Sequence, residues 1–222
     1  MRSGGLGSAW RVPAALICLG LVPLAGGGVR LATLMAGGPV TAEGARFAAA
    51  PMPIVVHILS ATLFCMLGAF QFSARLRHDS PRWHRAAGRV LVLCALLASV
   101  SGVWMTVRYP LYPSLQGELL YMFRLVFGSA MLVCVALAVA AIRRADLGGH
   151  RNWMIRGYAV AQGAGTQALL TLLWVLVADP PGGLTRDLLM GAGWLINLGW
   201  AEWLIGRSRR RGRSTRAMAS SA

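Results

Sequence analysis

The chain has 222 residues, 56% of them hydrophobic and only 13% charged, with a formal net charge of +15 and a mean hydropathy of +0.59. A soluble domain carries about twice that charged fraction, and a soluble helical protein needs polar faces at helical period that are missing here. All 22 basic residues are Arg, clustered in short segments between long apolar runs, which points to membrane topology and away from a nucleic-acid surface.

In chain order, runs of about twenty apolar residues predict an all-α polytopic transmembrane bundle of six spans. Span one, about residues 12–33, follows Arg2 and Arg11 and is Gly-rich at Gly26-Gly27-Gly28; it reads as an uncleaved span. Span two, about 53–74, carries His57 and ends near Gln71. A basic stretch, Arg75 to Arg89, follows with His78, Trp83 and the pair His84-Arg85. Span three covers about 88–107, and span four, about 119–142, carries Arg124. A second basic stretch, Arg143 to Arg156, repeats the His-Arg pair as His150-Arg151, beside Trp153. Span five, about 157–178, holds Gln162, Gly163, Gly165, Thr166 and Gln167; span six, about 187–206, holds Asn197 and Glu202. Residues 1–206 form one bundle domain, and 207–222 read as a basic, disordered tail able to touch anionic headgroups.

Orientation follows from the Arg distribution. Arg2, Arg11, both basic stretches and the tail fall on one side. The other holds only Arg30, Arg46, Arg108 and Arg186, beside Glu43, Glu118, Asp179 and Asp187. Both termini are therefore expected in the cytoplasm. The Arg- and Ala-rich, Lys-free composition suggests a high-GC bacterial source, and the expected location is the bacterial cytoplasmic (inner) membrane. Cys18, Cys65, Cys94 and Cys134 lie in apolar runs without a C-x-x-C and read as small buried hydrophobes.

Charged groups in hydrocarbon are costly, so each is a functional candidate. His57 and Arg124 lie at similar depth in spans that run in the same direction, so they can face each other across the bundle. An imidazole there can exchange hydrogen bonds or ligate a metal or haem iron, and a guanidinium can hold a carboxylate, a haem propionate or a quinone oxygen. Gln162 and Thr166 share a helix face; with Gln167, Asn197 and Glu202 they outline a polar path, or else pack helices together. His84 and His150 enter the bundle from one side and are candidate ligands for a metal or a b-type haem iron, with Arg85 and Arg151 for its propionates. Interfacial anchoring explains the same residues without a cofactor.

His57, Gly68-Ala-Phe-Gln-Phe72, Pro81-Arg-Trp-His-Arg-Ala-Ala-Gly-Arg89 and His150-Arg-Asn-Trp-Met-Ile-Arg-Gly-Tyr158 resemble the bacterial membrane proteins of the domain of unknown function 2306 family. Arg124 and Gly163-Ala-Gly-Thr-Gln167 fit the same pattern. The resemblance covers roughly residues 50 to 170 and implies a multi-pass topology but no activity. A looser likeness to transmembrane cytochrome b ferric reductases rests on His57, Gln71, His84, Arg85 and Gly88. Spans four to six contain no His, so that likeness implies one haem at most.

Two functional readings stand at this level. One is a redox membrane protein binding a b-type haem or quinone through the His-Arg segments. The other is a cofactor-free membrane protein that transports or handles a lipid or small molecule, with a structural or assembly role as a third. Membrane lipids are the expected partners and nucleic acid is not. Whether the chain is an enzyme, and its oligomeric state, are left open.

Overall fold

The computed structural model describes the backbone of residues 6–37, 44–109 and 117–220. Glu43, used above for topology, lies outside them. Among the described residues there are nine α-helices and no strand: α1 (Leu6–Ala36), α2 (Ala45–Ala49), α3 (Pro51–Ala69), α4 (Ala74–Asp79), α5 (Pro81–Arg108), α6 (Glu118–Arg143), α7 (Leu147–Ala161), α8 (Gly163–Val175) and α9 (Gly183–Ser220), with a 3-10 turn at Phe70–Phe72. In hydrocarbon every backbone N–H and C=O must be paired within its own segment, so long apolar runs have the helix as their solution. Among the described residues five helices are long and apolar enough to cross a membrane: Trp10–Ala36, Pro51–Phe72, Pro81–Arg108, Glu118–Arg143 and Gly183–Arg210. Leu93, Val100, Val126 and Val133 stay exposed on the outward faces of α5 and α6, as contact with lipid requires.

The expected fifth span is in two pieces, α7 and α8, broken at Gln162. Neither piece alone is long enough to be counted as a crossing. The break sits where glycines let other helices approach closely. A Cβ on Gly163 would strike the Trp194 indole, and one on Gly165 would strike the Leu19 carbonyl. Gly is also a poor helix former.

Helix starts differ from the hydropathy boundaries. α5 begins at Pro81, where proline at the first helical position costs no hydrogen bond. α7 begins at Leu147, its first turn capped by the Asp146 carboxylate, which accepts from Gly149 N at 2.8 Å. Both His-Arg pairs therefore sit on helices rather than in the segments before them. At the other end of the chain α9 continues as helix to Ser220, where an unstructured tail is expected from residue 207; Arg and Ala are good helix formers and extend the span they follow.

Helix contacts close a ring, α1 to α3 to α5 to α6 to α9 to α8 and back to α1. α7 packs against α3, α6 and α9 together. It fills the half of the ring at the face that carries the two His-Arg segments, here the loop face. Past Gln162, α8 steps aside onto α1 and α9. The core lies at the level of the break: Phe64, Leu91, Cys94, Ala95, Phe127, Met131, Val135, Tyr158 and Val160.

Candidate functional site

Because α7 plugs one half of the ring and α8 leaves the centre of the other, a cavity of about 450 Å³ remains on the side away from the loop face. Its size falls in the ~300–1,000 Å³ range of small-molecule sites. The walls are mostly apolar, with residues from α1, α2, α3, α5, α6, α8, α9 and the end of α7, and the polar groups are few: Arg46, His57, Thr62, Ser99, Thr106, Tyr109, Arg124, Gln162 and Gln167.

His57 projects from α3 against α5. Its Nδ1 lies 2.9 Å from the Ala98 carbonyl oxygen and 3.3 Å from Ser101 Oγ. A carbonyl can only accept, so Nδ1 carries the proton and Nε2 is the acceptor. The ring fits because residue 102 is glycine: a Cβ there would come within 3.2 Å of His57 Cε1.

Arg124 lines the same cavity from α6. Arg46, Arg186 and Asp187 all lie within electrostatic range of it. Asp187, only 2% exposed, accepts from Gly117 N at 3.2 Å and from Leu120 N at 3.1 Å, so α9 caps the N-terminus of α6. Arg186 Nε stands 4.0 Å from its carboxylate. Arg46 lines the same cavity, and Glu118 at the start of α6 is exposed.

The short helix α2 covers the Arg124 end of the cavity. The Arg30 and Arg46 guanidiniums each lie 4.7 Å from the centre of the Phe47 ring, a cation–π arrangement. Phe47 meets Tyr109 edge to face at 5.3 Å, and the Tyr109 hydroxyl donates to the Ala50 carbonyl at 2.7 Å.

At the inner end the polar groups hold the break together. Gln162 Nε2 donates to the Leu16 carbonyl and to Tyr158 Oη, both at 3.0 Å, and Tyr158 donates to the Cys65 carbonyl at 2.6 Å. Gln167 Nε2 donates to the Met190 carbonyl at 2.8 Å. Thr166 donates to Asn197 Oδ1 at 2.8 Å, and Asn197 Nδ2 to the Ala159 carbonyl at 3.2 Å. Thr166 and Asn197 are not on the cavity wall. Glu202 is farther still, in a bidentate pair with Arg156 at 2.5 and 2.9 Å. The expected polar path therefore divides into cavity groups (His57, Arg124, Gln162, Gln167) and helix ties (Thr166, Asn197, Glu202).

The other candidates lie at the loop face. His84 is within electrostatic range of His150, Arg77 and Arg85. His150 Nδ1 is 2.9 Å from the Ala138 carbonyl, and Arg151 reaches Ser208 Oγ at 3.4 Å. Neither His84 nor His150 lines the cavity. The four cysteines are free thiols; Cys94 and Cys134 are buried, Cys65 is partly so and Cys18 is exposed.

A family match covers residues 54–205, from α3 to α9, under the description "Predicted membrane protein (DUF2306)". The chain belongs to that family. No curated protein and no solved structure matches it. The motifs that carry the DUF2306 resemblance do packing work in this member. Tyr158 of the second His-Arg segment lies against Gly68, where a Cβ would come within 2.8 Å of its ring. Phe64 and Phe72 contact the same ring at 5.6 and 4.9 Å between centroids. The matched region also holds every polar cavity residue except Arg46. Arg46, Thr106 and Tyr109 were not legible as site residues. Arg46 sits in a polar connection, where sequence reads only its charge, and the other two look like ordinary span-end residues.

Proposed function

We propose that this DUF2306 protein binds a small amphipathic molecule within the membrane, in the cavity between α1, α3, α5, α6, α8 and α9. Arg124 and Arg46 hold its polar head, His57 offers Nε2 as an acceptor, and the apolar walls take the rest. One observation carries the reading: His57 and Arg124, far apart in sequence, line one mostly apolar cavity. In this reading α7 and α8 together form the fifth of six crossings, both termini lie on the cytoplasmic side of a bacterial inner membrane, and the cavity opens toward the other side. The protein then handles a lipid or small molecule without a resident cofactor.

Native mass spectrometry of the protein purified in mild detergent tests this. The wild type should carry a bound small molecule, and Arg124→Gln should lose most of it. A wild type that carries nothing and gains nothing from a membrane lipid extract would overturn the reading.

The redox reading draws on the two His-Arg pairs, His84-Arg85 and His150-Arg151, in the two basic segments. A Soret band that sharpens with dithionite, and is lost in His84→Ala or His150→Ala, would revive it. A quinone head on Arg124 and His57 is the form of that reading that uses the cavity.

A further inference from the structure

Resting on that reading, we infer that the bound molecule carries a hydroxyl group and donates its proton to His57 Nε2. The placement of protons on the cavity wall selects this chemistry.

Both groups beside His57 Nδ1 can only accept. The Ala98 carbonyl has no proton, and the Ser101 hydroxyl gives its own to the Leu97 carbonyl at 2.6 Å. Nδ1 therefore carries the ring hydrogen and Nε2 presents a lone pair. The other tautomer would set a lone pair against the Ala98 carbonyl. Among the described residues, none donates to Nε2.

Gln162, on the same wall, is fixed in the same sense. Its amide nitrogen faces the Leu16 carbonyl and Tyr158 Oη, each at 3.0 Å, and the Tyr158 proton goes to the Cys65 carbonyl at 2.6 Å. Both neighbours can only accept, so both amide hydrogens are committed and Oε1 is the end left over. Nothing donates to it among the described residues. The Ser99, Thr106 and Tyr109 hydroxyls of the wall give their protons to the Ala95, Gly102 and Ala50 carbonyls at 2.6, 2.8 and 2.7 Å. These uncharged groups hold open lone pairs and no open proton.

A buried acceptor without a donor is costly, so a molecule seated here gains by bringing one. An ether, a ketone or an oxidised quinone has only acceptors and leaves Nε2 unmet. A hydroxyl donates to Nε2, and its oxygen still accepts from the guanidiniums of the proposed head site. Two sources share this chemistry, an aliphatic alcohol such as a monoacylglycerol and a phenol such as a reduced quinone.

The test is equilibrium binding of radiolabelled probes to the full chain in nanodiscs, corrected for binding to empty nanodiscs. The probes form two pairs, decanol with decyl methyl ether and para-decylphenol with para-decylanisole. At least one hydroxyl probe should bind roughly fivefold or more tightly than its ether, and the pair with the larger ratio names the source. His57→Phe keeps a ring in the recess beside Gly102 but has no lone pair to offer. It should bring the ratio close to one, chiefly by weakening the hydroxyl probe. Ethers that bind the wild type as tightly as their hydroxyl partners would overturn the inference, whether or not the variant folds. So would a hydroxyl preference that persists unchanged in His57→Phe. Failure of all four probes in a protein that carries another ligand by mass spectrometry would overturn this inference alone. A protein that carries no ligand of any kind would remove the broader reading as well.

Discussion

At the scale of single residues, polar groups in this bundle divide by whether their hydrogen bonds are already committed. Gln162, Gln167, Thr166 and Asn197 spend theirs on carbonyls or on each other. His57 spends only Nδ1. Arg156 and Glu202 form an ion pair between α7 and α9, with Arg156 also 4.6 Å over the Trp153 ring. The Glu202 side chain is 53% exposed and that of Arg156 20%, so solvent and headgroups screen the pair. A double-mutant cycle with Arg156→Gln and Glu202→Gln should give a coupling of only about 0.5–1 kcal/mol. Reversible unfolding in mixed micelles would measure it, and a coupling several times larger would mean the pair is effectively desolvated. The residue types of this pair are plain in sequence. Which Arg meets Glu202 is not, because several basic residues lie near that face.

At the scale of elements, the decisive feature is the interruption between α7 and α8. Hydropathy averages over a window and sees one continuous apolar run across Gln162. The break depends on Trp194 of α9 and Leu19 of α1 closing on Gly163 and Gly165. Gly165→Val should force α8 off α1 and destabilise the fold by about 1–3 kcal/mol, the usual range for overpacking. Gly88→Ala, where a Cβ meets nothing within 4 Å, should be neutral or slightly stabilising because Ala is the better helix former. Thermal unfolding of the two variants side by side checks this, and equal effects would argue against a close α1–α8 contact. Helix starts were legible only to within about two to three turns: Pro81 and Asp146 are standard start signals, yet the polar first turns masked them in a hydropathy reading.

At the scale of the molecule, the ring with a half-length plug leaves one end closed by packed side chains and the other end hollow. In the orientation proposed from the Arg distribution, the closed, loop-face end lies in the cytoplasm. A C-terminal green fluorescent protein fusion should therefore fluoresce in an inner-membrane host, and a C-terminal alkaline phosphatase fusion should be inactive. The opposite pattern would invert the topology and turn the cavity toward the cytoplasm.

The sequence by itself determined that the chain is helical, membrane-embedded and a member of its family, because hydrophobic length and backbone pairing in lipid leave few alternatives. It also marked His57 and Arg124, since ionisable groups in apolar runs stand out without any knowledge of neighbours. Only the tertiary structure decided that these two share a cavity, that Thr166, Asn197 and Glu202 are ties between helices, and that Arg46 lines the cavity too. Those facts depend on which helix faces meet across the ring, and near-uniform hydrophobicity in lipid-facing helices carries almost no record of that choice.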